Sequence, residues 1–280
     1  MSSLHTRLAT TATMSVLLAA TLAAAPVVAA SNDRHHDRDL TCRSGAIAPG
    51  TYHSIVVAGD CSIPTGLVTV RGNVVVLARS SLWTEQGIAQ LQVRGNLVVG
   101  HGAVLSLGCN ITECLAPGVL SAAKAAAVTA APTASTFERS ALIGGDIRAD
   151  DAAAIFAVFA TVAGDIKIDD GGVGPRACAA GGVVTTRGGL QVESVLVLFY
   201  TIADGSVRVT HTRACLLFVA FTMVGVDLVE TGNWAVGNGN ALVGNLIGRD
   251  LICRRNTPAP IAMANTVGRR SVGQCATVAG

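Results

Sequence analysis

Charge is scarce in this chain. Only 14% of its 280 residues are Asp, Glu, Lys or Arg, and the formal net charge is +2. Lysine occurs only at Lys124 and Lys167. No basic patch is present for nucleic acid, and no polybasic stretch for anionic lipid. Aromatic residues are as sparse, at 4% with two Trp and two Tyr, so the flat rings that usually line sugar grooves are few. Helical periodicity and the leucine-rich pattern are both missing, which excludes helical solenoids and leucine-rich repeats. No internal segment reads as a membrane span, because LLFVAFTMVGVDLV is interrupted by Thr222, Gly225 and Asp227. The last residues, GQCATVAG, show neither an apolar tail nor a wall-sorting signal.

What is present begins with a Sec-type signal peptide over residues 1–30. Met1 to Arg7 is a short basic start, Met14 to Ala25 is apolar, and Val28 and Ala30 stand at −3 and −1 of a cleavage site. Secretion, with no membrane span after cleavage, is therefore expected. Residues 31–39, SNDRHHDRD, read as a charged flexible leader, with metal binding by His35 and His36 a lesser alternative. Eight cysteines follow: Cys42, Cys61, Cys109, Cys114, Cys178, Cys215, Cys253 and Cys275. An even count in a secreted chain implies disulfides. Sequence proximity suggests Cys42–Cys61, Cys109–Cys114 and Cys253–Cys275, leaving Cys178–Cys215, although eight cysteines allow many connectivities. Cys109 and Cys114 also have the spacing of two metal ligands, but no second close pair accompanies them.

The phrase Val-Arg-Gly-Asn occurs at Val70–Asn73 and again at Val93–Asn96. Weaker versions start at Leu142, Thr161, Thr185, Thr201, Thr222, Asn245 and Asn265. Gly72, Gly95, Gly145, Gly164, Gly189, Gly205, Gly225, Gly248 and Gly268 anchor them, about twenty residues apart except for the 50 from Gly95 to Gly145, about two periods, which hold the Ala-rich insertion. That period, with short β-branched runs, predicts an all-β, single-stranded parallel β-helix over residues 40–280, of about nine coils. Glycine would serve corners needing unusual backbone angles. Asn73, Asn96, Asp146, Asp165, Asp227 and Asp250 follow their glycines, and are expected to bond their own backbone and to align as a ladder. The Ala-rich stretch at 121–136 is an excursion from the coil.

These features resemble a family of small secreted proteins from actinomycete-type bacteria. The resemblance rests on Gly59-Asp60-Cys61-Ser62-Ile63-Pro64 and on an ending with Cys253, Asn256, Pro258, Asn265, Gly268 and Gly273-Gln274-Cys275. It covers most of the mature chain, with the ending its distinctive part. It implies a secreted repeat protein and assigns no catalytic residue.

Three features are candidate sites. Asp146, Asp150 and Asp151 on one coil, with Arg148, face Asp165, Asp169 and Asp170 on the next, with Lys167. Polysaccharide lyases and hydrolases on β-helices use such carboxylates as acid and base, or to hold calcium. The preferred reading is nevertheless structural turns, because Gly-Asp recurs on coils without companions. Second, VLVLFY and CLLFVAF are apolar on both strand faces, and Phe199, Tyr200, Phe218 and Phe221 are the candidate binding residues. Their outer face must be covered by the Ala-rich excursion, by a partner or by a ligand, unless the rings stack internally. Third, Arg254, Arg255, Arg269 and Arg270 sit inside the expected Cys253–Cys275 loop and read as a solvated cap, or as a contact for anionic wall polymer.

The expected function is a secreted structural or adhesive protein of the bacterial envelope or matrix, partnered by wall polysaccharide or another envelope protein. The alternative is a carbohydrate-active enzyme using Asp146, Asp165, Asp169, Asp170 and Lys167. No cofactor is required unless calcium joins the acidic coils. End-to-end filament formation is disfavoured by the secretion signal and the capped ends.

Overall fold

The two Val-Arg-Gly-Asn phrases lie directly on top of each other. In the computed structural model, which describes residues 38–85, 89–108, 139–236 and 239–276, Val70 pairs with Val93 and Val74 with Leu97 in parallel register. The same stacking continues throughout, and 25 strands form one parallel sheet wound into a coil. Nine coils are described: 50–63, 66–84, 89–107, 141–158, 160–199, 202–220, 223–243, 246–263 and 266–273. Most contribute three short strands, one to each of three faces, A, B and C, in chain order. The predicted parallel β-helix is the fold.

Alternation within each strand builds the interior. On face A, Val70, Val93, Ile143, Val162, Ala203, Val224 and Ile247 form one inward column. On face B the column is Ile55, Val74, Leu97, Ile147, Ile166, Val207, Leu228 and Leu251. On face C it is Leu107, Ala157, Leu198, Val219, Leu242 and Ala262. All of these are buried. Each larger aliphatic gains about 1.5–3 kcal/mol from burial, and each coil needs its neighbours to realise that gain.

The anchor glycines are required for a different reason from the one predicted. Gly72, Gly95, Gly145, Gly164, Gly205, Gly225, Gly248 and Gly268 are absent from the residues of positive φ. They stack at the A–B corner instead: Gly95 donates its N–H to Gly72, Gly145 to Gly95, Gly164 to Gly145 and Gly205 to Gly164. A Cβ on Gly248 would lie 2.1 Å from the carbonyl oxygen of Gly225. The column is glycine because the backbones touch. Gly189 does not belong to it. It turns an antiparallel hairpin, Val183–Thr185 with Gln191–Glu193, inserted into the fifth coil, so Thr185 does not start a repeat.

The other two corners carry internal amide ladders that the sequence reading did not assign. At the B–C corner the Asn233 side chain accepts from the Thr212 N–H, Asn256 from the Asn233 N–H, and Gln274 from the Asn256 N–H. At the C–A corner Asn245 accepts from the Thr222 N–H and Asn265 from the Asn245 N–H, while the Asn245 amide donates to the Val219 carbonyl. Such stacked amides complete backbone groups that leave the strand ladders at each bend. Asn245→Ala leaves two buried backbone groups, the Thr222 N–H and the Val219 carbonyl, without a partner and removes the side-chain bond to Asn265. The expected loss is about 2–4 kcal/mol, read as a lowered urea midpoint. An unchanged midpoint would remove the ladder from the energetics.

Three of the expected disulfides are formed: Cys42–Cys61, Cys178–Cys215 and Cys253–Cys275. The first ties the opening strand, Arg38–Ala46, to the first coil, and the last closes the far end. Cys178 lies on a short helix, Pro175–Ala179, in the fifth-coil insertion, so its bond fastens that insertion to the sixth coil. The signal peptide, residues 31–37 of the leader, Cys109–Cys114 and the Ala-rich excursion lie outside the described residues. Among those described, no helix is long and apolar enough to cross a membrane.

Candidate functional site

The Asn and Asp residues beside the glycine column do form a ladder, by a different bond from the one expected. All but Asp250 accept from a backbone N–H one coil further on. Asn73 accepts from Asn96, Asn96 from Asp146, Asp146 from Asp165, Asp165 from Ser206, and Asp227 from Asp250. The carboxylates also pair with cations on their own or the next coil: Arg148 donates to Asp146 at 2.7 Å and Lys167 lies 2.9 Å from Asp165. Arg270 similarly faces Asp250 at 3.3 Å. The Arg148 hydrogen bond, with help from the Asp165 N–H, holds the Asp146 carboxyl below its ordinary range. The Ser206 N–H and then Lys167 do the same for Asp165. Both are solvated enough for each pair to contribute no more than about 1 kcal/mol.

This geometry separates the residues of the anticipated cleft. Asp146 and Asp165 open face B, whereas Asp150 and Asp169 close it, in register with each other. Four residue steps along the strand direction separate Asp165 from Asp169, or about 13 Å. Paired glycosidase carboxylates stand about 5–9.5 Å apart. An acid–base pair drawn across these corners is therefore too wide, and the pair Asp146/Asp165 is committed to the ladder. Asp169 accepts a hydrogen bond from the Thr210 hydroxyl. Among the described residues no group of three His, Cys, Asp or Glu side chains could hold a metal ion.

The aromatic candidates divide into two sets. Phe218 is buried on the outer side of face C, and Phe199 stacks with it at 6.3 Å. Phe159, Tyr200 and Phe221 instead occupy the C–A corner, each with positive φ. Their rings stack coil on coil at 5.4 and 5.2 Å, with interplanar angles of 7° and 11°. The stack covers ring faces and presents edges, so it offers little for a sugar to lie upon. Its outer flank, with Arg139, Thr161, Ile202 and Met223, borders a shallow cavity of about 170 Å³. The outer apolar side of face C is covered in part by the hairpin, whose Val192 is fully buried in the cluster with Val104, Phe156 and Val197.

At the B–C corner a column of left-handed residues runs through Asp151, Asp170, His211 and Arg255. A cavity of about 400 Å³ opens there, lined by Asp151, Asp170, Gly171, Gly172, Val173, Gly174, His211 and Arg213. His101 contacts Asp151 through Nδ1. Of these, only the aspartates were singled out from sequence. The histidines and Arg213 were missed because a coil period of about twenty residues has to be applied to them before they meet.

The interior holds one more polar pair. Glu230 points inward between Val209 and Cys253 on face B, and Asn240 points inward above Leu217 on face C. Glu230 is 1% exposed, and neither its carboxyl oxygens nor the Asn240 amide complete a hydrogen bond. Burial pushes the Glu230 carboxyl up to about 8, with the nearby Asn240 amide opposing the rise.

The fold and its corners define a three-faced, disulfide-bonded parallel β-helix. Compared with models of protein families, with curated proteins and with solved structures, the chain matches none.

Proposed function

We propose that this is a secreted, non-enzymatic protein of the bacterial envelope or matrix, one that acts by presenting a rigid repeat surface to wall polysaccharide. The observation that carries this reading is the commitment of the recurring aspartates. Asp146 and Asp165, the strongest catalytic candidates, accept backbone N–H groups of the next coil and face a cation beside them. Such groups build a corner and leave no free acid or base at that column. The disulfides suit an oxidising compartment outside the cytoplasm.

Purified mature chain is to be mixed with insoluble chitin, cellulose and peptidoglycan, pelleted, and assayed for new sugar ends. The expected outcome is retention on at least one polymer without release of sugar. Release that disappears in Asp165→Ala would sink the non-enzymatic reading, and absence of retention on every polymer would sink the adhesive one.

A further inference from the structure

We propose that the B–C corner cavity on the fourth to sixth coils binds an uncharged, hydroxyl-rich sugar unit. This rests on the polysaccharide-binding reading above and names its site and ligand class. The first argument is where charge falls. The central outward column of face B reads Val56, Val75 and Val98 on the early coils, and Val229, Ile252 and Val272 on the late ones. Between them it reads Arg148, Lys167 and Arg208. Arg148 and Lys167 answer the ladder carboxylates Asp146 and Asp165, while Arg208 has no ion-pair partner among the described residues, so the coils that border the cavity carry one cation more than the ladder uses.

The second argument is that the polar groups at the cavity are uncommitted. Among the described residues, the side chains of Asp170, His211 and Arg213 make no hydrogen bond or ion pair, unlike Asp146 and Asp165 at the opposite corner. Asp151 is held by His101 on one side. Glycine lets the chain pack closely around these groups. Gly232 occupies the place above His211, where a Cβ would come within 2.9 Å of the imidazole, and a Cβ on Gly172 would strike the Arg213 carbonyl.

The ligand class follows from the mixture of groups. Two carboxylates repel an anion, and a guanidinium beside them repels a cation. A pair of neighbouring hydroxyls satisfies both, donating to a carboxylate while accepting from the guanidinium or imidazole. With no third ligand at metal distance, a bound divalent cation is the poorer occupant.

The test is calorimetric titration of the full mature chain with soluble oligosaccharides from chitin, cellulose and peptidoglycan glycan. Asp170→Asn and Arg213→Met are the test variants. Asn tolerates the left-handed backbone at position 170, and His211→Gln replaces either variant whose melting temperature falls. Leu246→Ser on face A is the control. The expected result is binding by wild type and control, weakened at least tenfold in the cavity variants. Equal binding by all forms would overturn the cavity and leave the adhesive reading standing. No binding to these sugars, with none to the insoluble polymers, would overturn both. Sugar release lost in Asp170→Asn would keep the site and ligand class but make the protein an enzyme.

Discussion

Raising the pH from about 5 to about 9 will destabilise the folded chain, and Glu230→Gln will remove most of that loss. Glu230 is enclosed by the seventh coil, beneath the Cys253–Cys275 disulfide, and its carboxyl titrates near 8 against an ordinary value of 4.5. Between those values the folded chain retains a proton that the unfolded chain has released. Stability therefore falls with rising pH, by about 1.4 kcal/mol per unit, and levels off once the folded carboxyl ionises. The whole interval amounts to about 5 kcal/mol. The opposite limb comes from Asp146 and Asp165, whose lowered carboxyls contribute stability that is lost as pH falls below the ordinary value of 3.8. Urea midpoints measured across the range should peak near pH 4–5 in the wild type and stay nearly flat to pH 9 in Glu230→Gln. A wild-type midpoint constant from pH 5 to 9 would mean that the carboxyl has found a partner.

Gly248→Ala should cost more than any exposed substitution, several kcal/mol or the fold itself. The new methyl would lie 2.1 Å from a backbone oxygen with coils on both sides, and the strands cannot separate without losing their hydrogen bonds and core contacts. The comparison is Gly189→Ala. Gly189 has a φ of 85° and open space around it, so its expected loss is only about 1 kcal/mol, from backbone conformation alone. Chemical denaturation of the two variants separates close packing from conformational freedom. If Gly189→Ala proved the more damaging, close packing would not be what demands glycine in the column.

The coil itself was legible in the sequence, because Gly72 and Gly95 recur with their neighbours and the repeat that makes a corner also sets the register. The hairpin was not. Its turn and alternating residues look like another coil, and what distinguishes them is the antiparallel pairing of Val184 with Val192, which no single strand reveals. The spacing within the acidic cluster was not legible for want of a phase. Ile166 and Ile168 point inward, so Lys167 and Asp169 point outward, and a strand length separates Asp165 from Asp169. The same phase, started at Leu228, places Glu230 inside. Applying it to every strand would have found that residue.

The fifth-coil insertion has a mechanical consequence. It is fastened covalently to the sixth coil through Cys178–Cys215. It then runs along face C to the early coils, where the Arg187 N–H meets the Arg79 carbonyl and the Thr186 hydroxyl donates to Asp60 at 2.7 Å. A spring of stacked coils would stretch or flex by small openings between neighbours. Here a stay is tied across several windings, so tension along the axis must break those moorings together with the ladders, and bending away from the insertion is resisted first.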